Sequence, residues 1–240
     1  MKQKQHIVAL PGFLGLPSDW KSLESDYFKP FDLNELECNH LYDWANQFNT
    51  LAKDRYLHPI LMGYSFGGRL ALHALIQNPH LWKAGIIISA HPGLKNPIEK
   101  SDRLKSDQAW ANRFLEDDWD TLMQDWNGRQ VFAGGSFVFQ RKEEDYNRKD
   151  LAGHLKNGSL GLQEDLREAI SALSIPLLWI VGENDRKFVS LAESLKFKNP
   201  LSKLVIIPQA GHRAPWDNAS VFIRLVNEFL VSLDGEAMLK

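Results

Sequence analysis

Five short apolar runs punctuate the chain: HIVAL (6–10), HPILMGY (58–64), AGIIISA (84–90), PLLWIVG (176–182) and KLVIIPQ (203–209). Continuous apolar runs of this length, without alternation, are the pattern of strands covered on both faces. KPFDLNEL (29–36) is a weaker candidate of the same kind. Apolar positions at helical spacing follow over roughly 67–78, where Asn78-Pro79 ends the pattern, and again over roughly 188–197 and 216–232. Strand and helix alternate, which predicts β-α-β units and a mostly parallel sheet flanked by helices. The interval 92–172 breaks the alternation: it has no strong strand run and is rich in charge and in tryptophan (Trp110, Trp119, Trp126). We read it as a mostly helical insertion, a cap over one edge of the sheet, in a core formed by 1–91 and 173–240. A separate small helical domain is the alternative. No internal repeat or low-complexity tract is present.

Composition narrows the class. With 240 residues, 44% of them hydrophobic and 24% charged, the chain has the make-up of one soluble globular domain. A net charge of −2 offers no basic surface for nucleic acid or anionic lipid, so any cationic site must lie inside a pocket. Cys38 is the sole cysteine, so no internal disulfide can form, which suits a reducing cytoplasm. The opening MKQKQHIVALPGFLG has too short an apolar run for a signal peptide, and no stretch approaches the ~20 apolar residues of a membrane span. A cytoplasmic protein with no membrane or nucleic-acid partner is expected.

The chemistry is concentrated in MGYSFGGRL (62–70). Ser65 stands between glycines, directly after a strand run and directly before a helical one, the arrangement of a nucleophile elbow. A serine hydroxyl is a poor nucleophile or base at neutral pH unless an imidazole takes its proton, and that imidazole is best held by a carboxylate. The partners are expected in the order acid then histidine, each past a later strand. Asp185 follows PLLWIVG, and His212 follows KLVIIPQ behind a small-residue turn. Glu183 and Asp217 compete for the acid role; Asp185 lies furthest into its loop without entering the next helix. His6, His40, His58, His73 and His80 fall at strand starts, on helices or in loops. An oxyanion hole needs two backbone N–H groups, expected from Phe66 after the serine and from Phe13 in the turn LPGFLG.

Arg69 lies four residues beyond Ser65 and so shares its helix face, one turn deeper. A buried guanidinium needs a partner, and a carboxylate-bearing substrate would be one. Snorkelling to a surface carboxylate is the alternative.

The elbow, GENDRKF and AGH resemble the α/β-hydrolase superfamily. GYSFGGRLAL, HPGLKN, SDQAWANRFL and the DW…VF pattern of Asp125, Trp126, Val131 and Phe132 more selectively resemble the 2-succinyl-6-hydroxy-2,4-cyclohexadiene-1-carboxylate synthases of menaquinone biosynthesis. The resemblance runs from about Leu10 to about Phe229. It implies the α/β-hydrolase fold and a lyase that applies a hydrolase triad to elimination. The implied substrate is a polycarboxylate that loses a proton and then pyruvate, with no metal or organic cofactor. It further implies that Arg69 and Arg103 bind substrate carboxylates and that Tyr64 and Trp126 line the pocket. A third family arginine is unmatched, with His154 and Lys156 near its place, and a family tyrosine is replaced by Asn127. Pro11-Gly12 stands where hydrolases of this fold usually carry His-Gly, and the segment between the first two strong strands holds no Gly-His-Gly loop. Two alternatives remain open: a carboxylesterase or thioesterase on the same fold, and a catalytically silent protein that binds a small acid.

Overall fold

The computed structural model describes residues 6–23 and 27–237. Among them, six parallel strands form one sheet in the order β2-β1-β3-β4-β5-β6. The strands are β1 (Ile7–Leu10), β2 (Phe28–Pro30), β3 (Ile60–Tyr64), β4 (Ala84–Ile88), β5 (Leu177–Gly182) and β6 (Lys203–Ile207). Helices α1 (Leu41–Arg55) and α2 (Phe66–Gln77) join β2 to β3 and β3 to β4. Four more, α3 (Pro97–Glu116), α4 (Trp119–Asn127), α5 (Arg148–Asn157) and α6 (Arg167–Ala172), lie between β4 and β5. After β5 come α7 (Arg186–Glu193), α8 (Ala214–Asp217) and α9 (Ala219–Ala237). No helix among the described residues is long and apolar enough to cross a membrane.

The apolar runs are continuous because the sheet is packed on both faces. Val8, Leu10, Leu61, Ile87, Trp179 and Val181 face a core shared with α1, α2 and α7. Their neighbours Ile7, Ala9, Met62, Ile86, Ile88 and Ile180 face a second core, built against Trp20, Trp216 and α9. Fully burying such a side chain contributes about 1.5–3 kcal/mol, so both faces are strongly specified. A third cluster, with Phe114, Leu122, Trp126 and Leu155, joins helices of 92–172 to Leu14 in the turn after β1.

The pattern reading does not anticipate α1, and three other elements differ from it. The weak run 29–36 yields only the three-residue β2, followed by a 3-10 turn at Leu33–Glu35. Pro30 offers no N–H to a ladder, which suits β2's edge position, and Asp32 accepts the Asn34 N–H to start the turn. The helix expected over 216–232 is divided at Asn218 (φ −144°, ψ 73°) into α8 and α9. The side chain of Asn218 donates to the Pro208 carbonyl, and Asp217 accepts backbone N–H groups from Ser136, Phe137 and Gly211, so both residues serve neighbouring loops. The spacing over 188–197 becomes α7, which starts earlier and ends at Glu193.

Candidate active site

Ser65 occupies the corner between β3 and α2 with φ 52° and ψ −107°, a conformation costly for any residue with a side chain. The surrounding glycines explain why the chain accepts it. A Cβ on Gly63 would collide with the Gly67 carbonyl, and one on Gly67 with the carbonyls of Leu10 and Pro11. The helix therefore begins hard against the strands, and the Ser65 N–H is anchored to the Ile88 carbonyl at 2.8 Å.

Ser65 Oγ lies 3.0 Å from His212 Nε2, and His212 Nδ1 lies 2.6 Å from Asp185 Oδ2. Asp185 and His212 are both buried. The acid and histidine loops meet through glycine backbone, since a Cβ on Gly182 would strike the carbonyls of Ala210 and Gly211. Phe188, with its ring centroid 4.6 Å from that of His212, packs the imidazole in place. The two rival acids are engaged elsewhere. Glu183 accepts the Gln209 N–H on the surface, and Asp217 holds the loops at 135–137 and 211. Of the other histidines, His40 caps α1 by accepting the Tyr42 N–H. His73 is buried with Nε2 unpartnered, and burial pushes it down to about 4.

Phe66 is the first residue of α2, so its N–H has no intrahelical acceptor. Phe13 sits in the turn closed by Gly15 N–H to the Gly12 carbonyl at 2.9 Å. Neither N–H is hydrogen-bonded among the described residues. Gly12 presses on the Tyr64 ring, where a Cβ would come within 2.8 Å, and this brings the turn against the serine corner. Pro11-Gly12 thus supplies the close approach without a histidine.

A cavity of about 620 Å³ opens beside Ser65. Its walls include Phe13, Phe66, Trp126 and Phe188, and its polar lining includes Arg69 and Arg103. Arg69 is buried and does not snorkel: it donates to Gln163 Oε1 (3.2 Å) and to the Gly158 carbonyl (2.5 Å). It forms no ion pair among the described residues. Burial pushes its pKa down to about 9, with the charge of Arg103 adding to the effect and Asp107 opposing it, so it stays cationic at neutral pH. Arg103 Nε is held by both carboxylate oxygens of buried Asp107, at 2.8 and 2.7 Å.

The remaining expected contacts divide. His154 lines the cavity 5.5 Å from the Phe66 ring, and burial lowers its pKa, so it presents a neutral imidazole. Lys156 is exposed and lies outside the cavity lining: it falls on the solvent face of α5. Tyr64 also lies outside this cavity. Its ring packs on His212 and Trp216, and it borders a smaller void of about 50 Å³ that Ser65 also lines. Asn127 binds Arg213 through Oδ1. Trp126 borders the cavity, whereas Trp110 stacks edge-on behind it and Trp119 is tied to the Arg141 carbonyl.

Several residues in the cavity wall or directly behind it escape the sequence reading. Asp107, four residues past Arg103, could have been found by helical spacing. Gln163 links Arg69 to the His91 carbonyl, and Arg129 reaches the cavity from the turn after α4. Neither position carries a local signal. His91 accepts the Gly93 N–H at Nδ1, and burial lowers it to about 3, so its ring is neutral.

The parallel sheet, with its serine corner past β3 and its acid and histidine past β5 and β6, defines the α/β-hydrolase class. Comparison with known proteins agrees: the chain belongs to the alpha/beta hydrolase family, whose sequence profile matches residues 4–225. It is 32% identical over 247 residues to the 2-succinyl-6-hydroxy-2,4-cyclohexadiene-1-carboxylate synthase of Photorhabdus laumondii, covering 96% of this chain and 87% of that one. The Salmonella arizonae protein of the same name is 36% identical over 239 residues, covering 88% of each. Among solved structures, MenH from S. aureus superposes with a TM-score of 0.79 at 21% identity, over 98% of this chain and 96% of the other.

Proposed function

We propose that this protein is a carbon–oxygen lyase of menaquinone biosynthesis. It eliminates pyruvate from 2-succinyl-5-enolpyruvyl-6-hydroxy-3-cyclohexene-1-carboxylate to give 2-succinyl-6-hydroxy-2,4-cyclohexadiene-1-carboxylate. The similarity to synthases of that name supports the reaction. The observation that carries the reading is Arg69: a buried guanidinium with no carboxylate partner among the described residues, one helical turn beyond Ser65 in the same cavity. A pocket for neutral esters gains nothing from an unneutralised buried cation, whereas an anionic substrate neutralises it.

In this reading Ser65, its proton taken by His212 and the imidazolium stabilised by Asp185, acts as the base. The proton on ring C2 lies α to the succinyl ketone, so its removal builds negative charge on that carbonyl oxygen. The N–H groups of Phe13 and Phe66 stabilise the oxyanion. The electron pair moves through the C3–C4 double bond, giving double bonds at C2–C3 and C4–C5 and breaking the C5–O bond. The departing enolate takes the proton from His212 at its methylene carbon and leaves as pyruvate, while Ser65 retains the proton removed from C2 until exchange with solvent. Arg69 and Arg103 orient the carboxylates, and residues 92–172 act as a cap that closes the pocket from water.

The test is a double-mutant cycle on pyruvate release. S65A and H212A should each abolish most of kcat, and the double variant should lose little more, because the pair acts as a unit. Two losses that multiply would mean that the residues do not share one step.

A further inference from the structure

Besides the exposed Arg186 and Lys187, the cavity lining holds one half-buried cation that this mechanism does not use. Arg129 follows α4, and its guanidinium lies 4.4 Å from the Trp126 ring centroid and 5.2 Å from that of Trp110. It lines the same cavity as Arg69 and Arg103. Arg55, Arg113, Arg141, Arg148, Arg167 and Arg224 each sit against a carboxylate. The Arg129 side chain has no carboxylate and no hydrogen-bond acceptor among the described residues. Burial, with Arg103 adding to the effect, pushes its pKa down to about 10, which leaves it charged at neutral pH.

The charges in the cavity decide what would fill it. Arg69, Arg103 and Arg129 face one another across a space in which Asp107 is already clasped by Arg103 and by Ser159 Oγ. Leaving aside Asp185, which is committed to His212, and the solvent-exposed Arg186 and Lys187, three guanidiniums against one carboxylate leave a surplus of two positive charges. His154 is neutral and adds none. A monocarboxylate would satisfy only half of that surplus. A guanidinium stacked on an indole keeps its N–H fork free in its own plane, and the aromatic shelf fixes that plane, so Arg129 is preorganised for a bidentate oxyanion.

We infer that Arg129 is a specificity-determining residue that binds one carboxylate of the substrate while Arg69 binds another, making the pocket selective for ligands with at least two carboxylates. The inference rests on the lyase reading only for the identity of the natural substrate. Its test therefore uses a different probe: binding of tricarballylate and of butyrate to wild type, R129Q and R129K, followed by calorimetry and by tryptophan fluorescence, since Trp126 and Trp110 lie beneath the guanidinium. Tricarballylate affinity should fall about tenfold to a hundredfold in R129Q, as expected for losing a charge-assisted bond. R129K should recover little of it, and butyrate binding should change less than about twofold. The fluorescence response to tricarballylate should vanish with Arg129. Wild-type affinity for tricarballylate in R129Q, or no binding by the wild type, overturns the inference. If R129Q does not fold, R129K decides on the same readouts, and wild-type affinity in it overturns the fork. Arg129-dependent binding without pyruvate release would sink the lyase reading alone. Pyruvate release whose KM ignores R129Q would sink the inference alone.

Discussion

Replacing Arg69 by methionine removes the charge while keeping most of the side-chain length in a buried site. In the unliganded protein the guanidinium donates to two neutral acceptors, Gln163 Oε1 and the Gly158 carbonyl. R69M relieves the desolvation that lowers its pKa to about 9. It also strands those two acceptors, at about 1–3 kcal/mol each. The two effects oppose, so thermal stability should move little. With substrate the balance is one-sided: a charge-assisted bond to a carboxylate contributes about 1.5–3 kcal/mol. Pyruvate release, followed continuously through lactate dehydrogenase, should therefore lose about tenfold to a hundredfold in kcat/KM. R69K keeps the charge but not the fork and should recover little. Hydrolysis of a short neutral ester, which offers no carboxylate, should change less than about threefold in either variant. Equal losses on both substrates would refute the reasoning, because Arg69 would then be supporting the serine corner and not a substrate anion.

Three further outcomes follow from the same geometry. D185N keeps the shape of the acid but turns an amide toward His212 Nδ1, now 2.6 Å from Asp185 Oδ2, so kcat should drop on the order of a thousandfold with the fold intact; a loss under tenfold would remove the acid from the scheme. His73 has its folded pKa lowered to about 4 from 6.5, so the unfolded chain binds the extra proton first and stability falls as pH drops from about 6.5 toward 4. H73L should flatten that slope by up to about 3 kcal/mol in urea titrations at successive pH values, and an unchanged slope would contradict it. G67A drives a methyl group into the carbonyls of Leu10 and Pro11 and should cost about 2 kcal/mol or more, read as a lowered urea midpoint; an unchanged midpoint would mean the corner is slack.

The parallel sheet is legible because strands covered on both faces must be apolar throughout, and Ile86 and Ile87 face opposite cores. Edge strand β2 is not, because with a neighbour on one side only it tolerates Pro30 and needs no long apolar run. The break at Asn218 escapes periodicity because its cause is tertiary: Asp217 and Asn218 bond to loops at 136, 137, 208 and 211. Ser65, Asp185 and His212 can be nominated from chain order because strand ends in a parallel sheet converge on one edge. Arg69 is nominated because one helical turn is a fixed distance. Arg129 reaches the cavity, and Gln163 reaches Arg69 behind it, only through packing of 92–172 against the core, and no spacing rule reaches that far. Lys156 shows the converse: proximity in sequence to His154 put it on the opposite side of α5.

In the proposed scheme a serine–histidine–aspartate chain beside an unneutralised arginine drives elimination of pyruvate. Purified protein incubated with 2-succinyl-5-enolpyruvyl-6-hydroxy-3-cyclohexene-1-carboxylate, alongside S65A, measures it directly. Wild type should release one pyruvate for each cyclohexadiene formed, and S65A should run at least about a thousandfold slower. Pyruvate appearing no faster than in buffer, with efficient hydrolysis of a neutral ester by the same preparation, would contradict the claim and leave a hydrolase in its place.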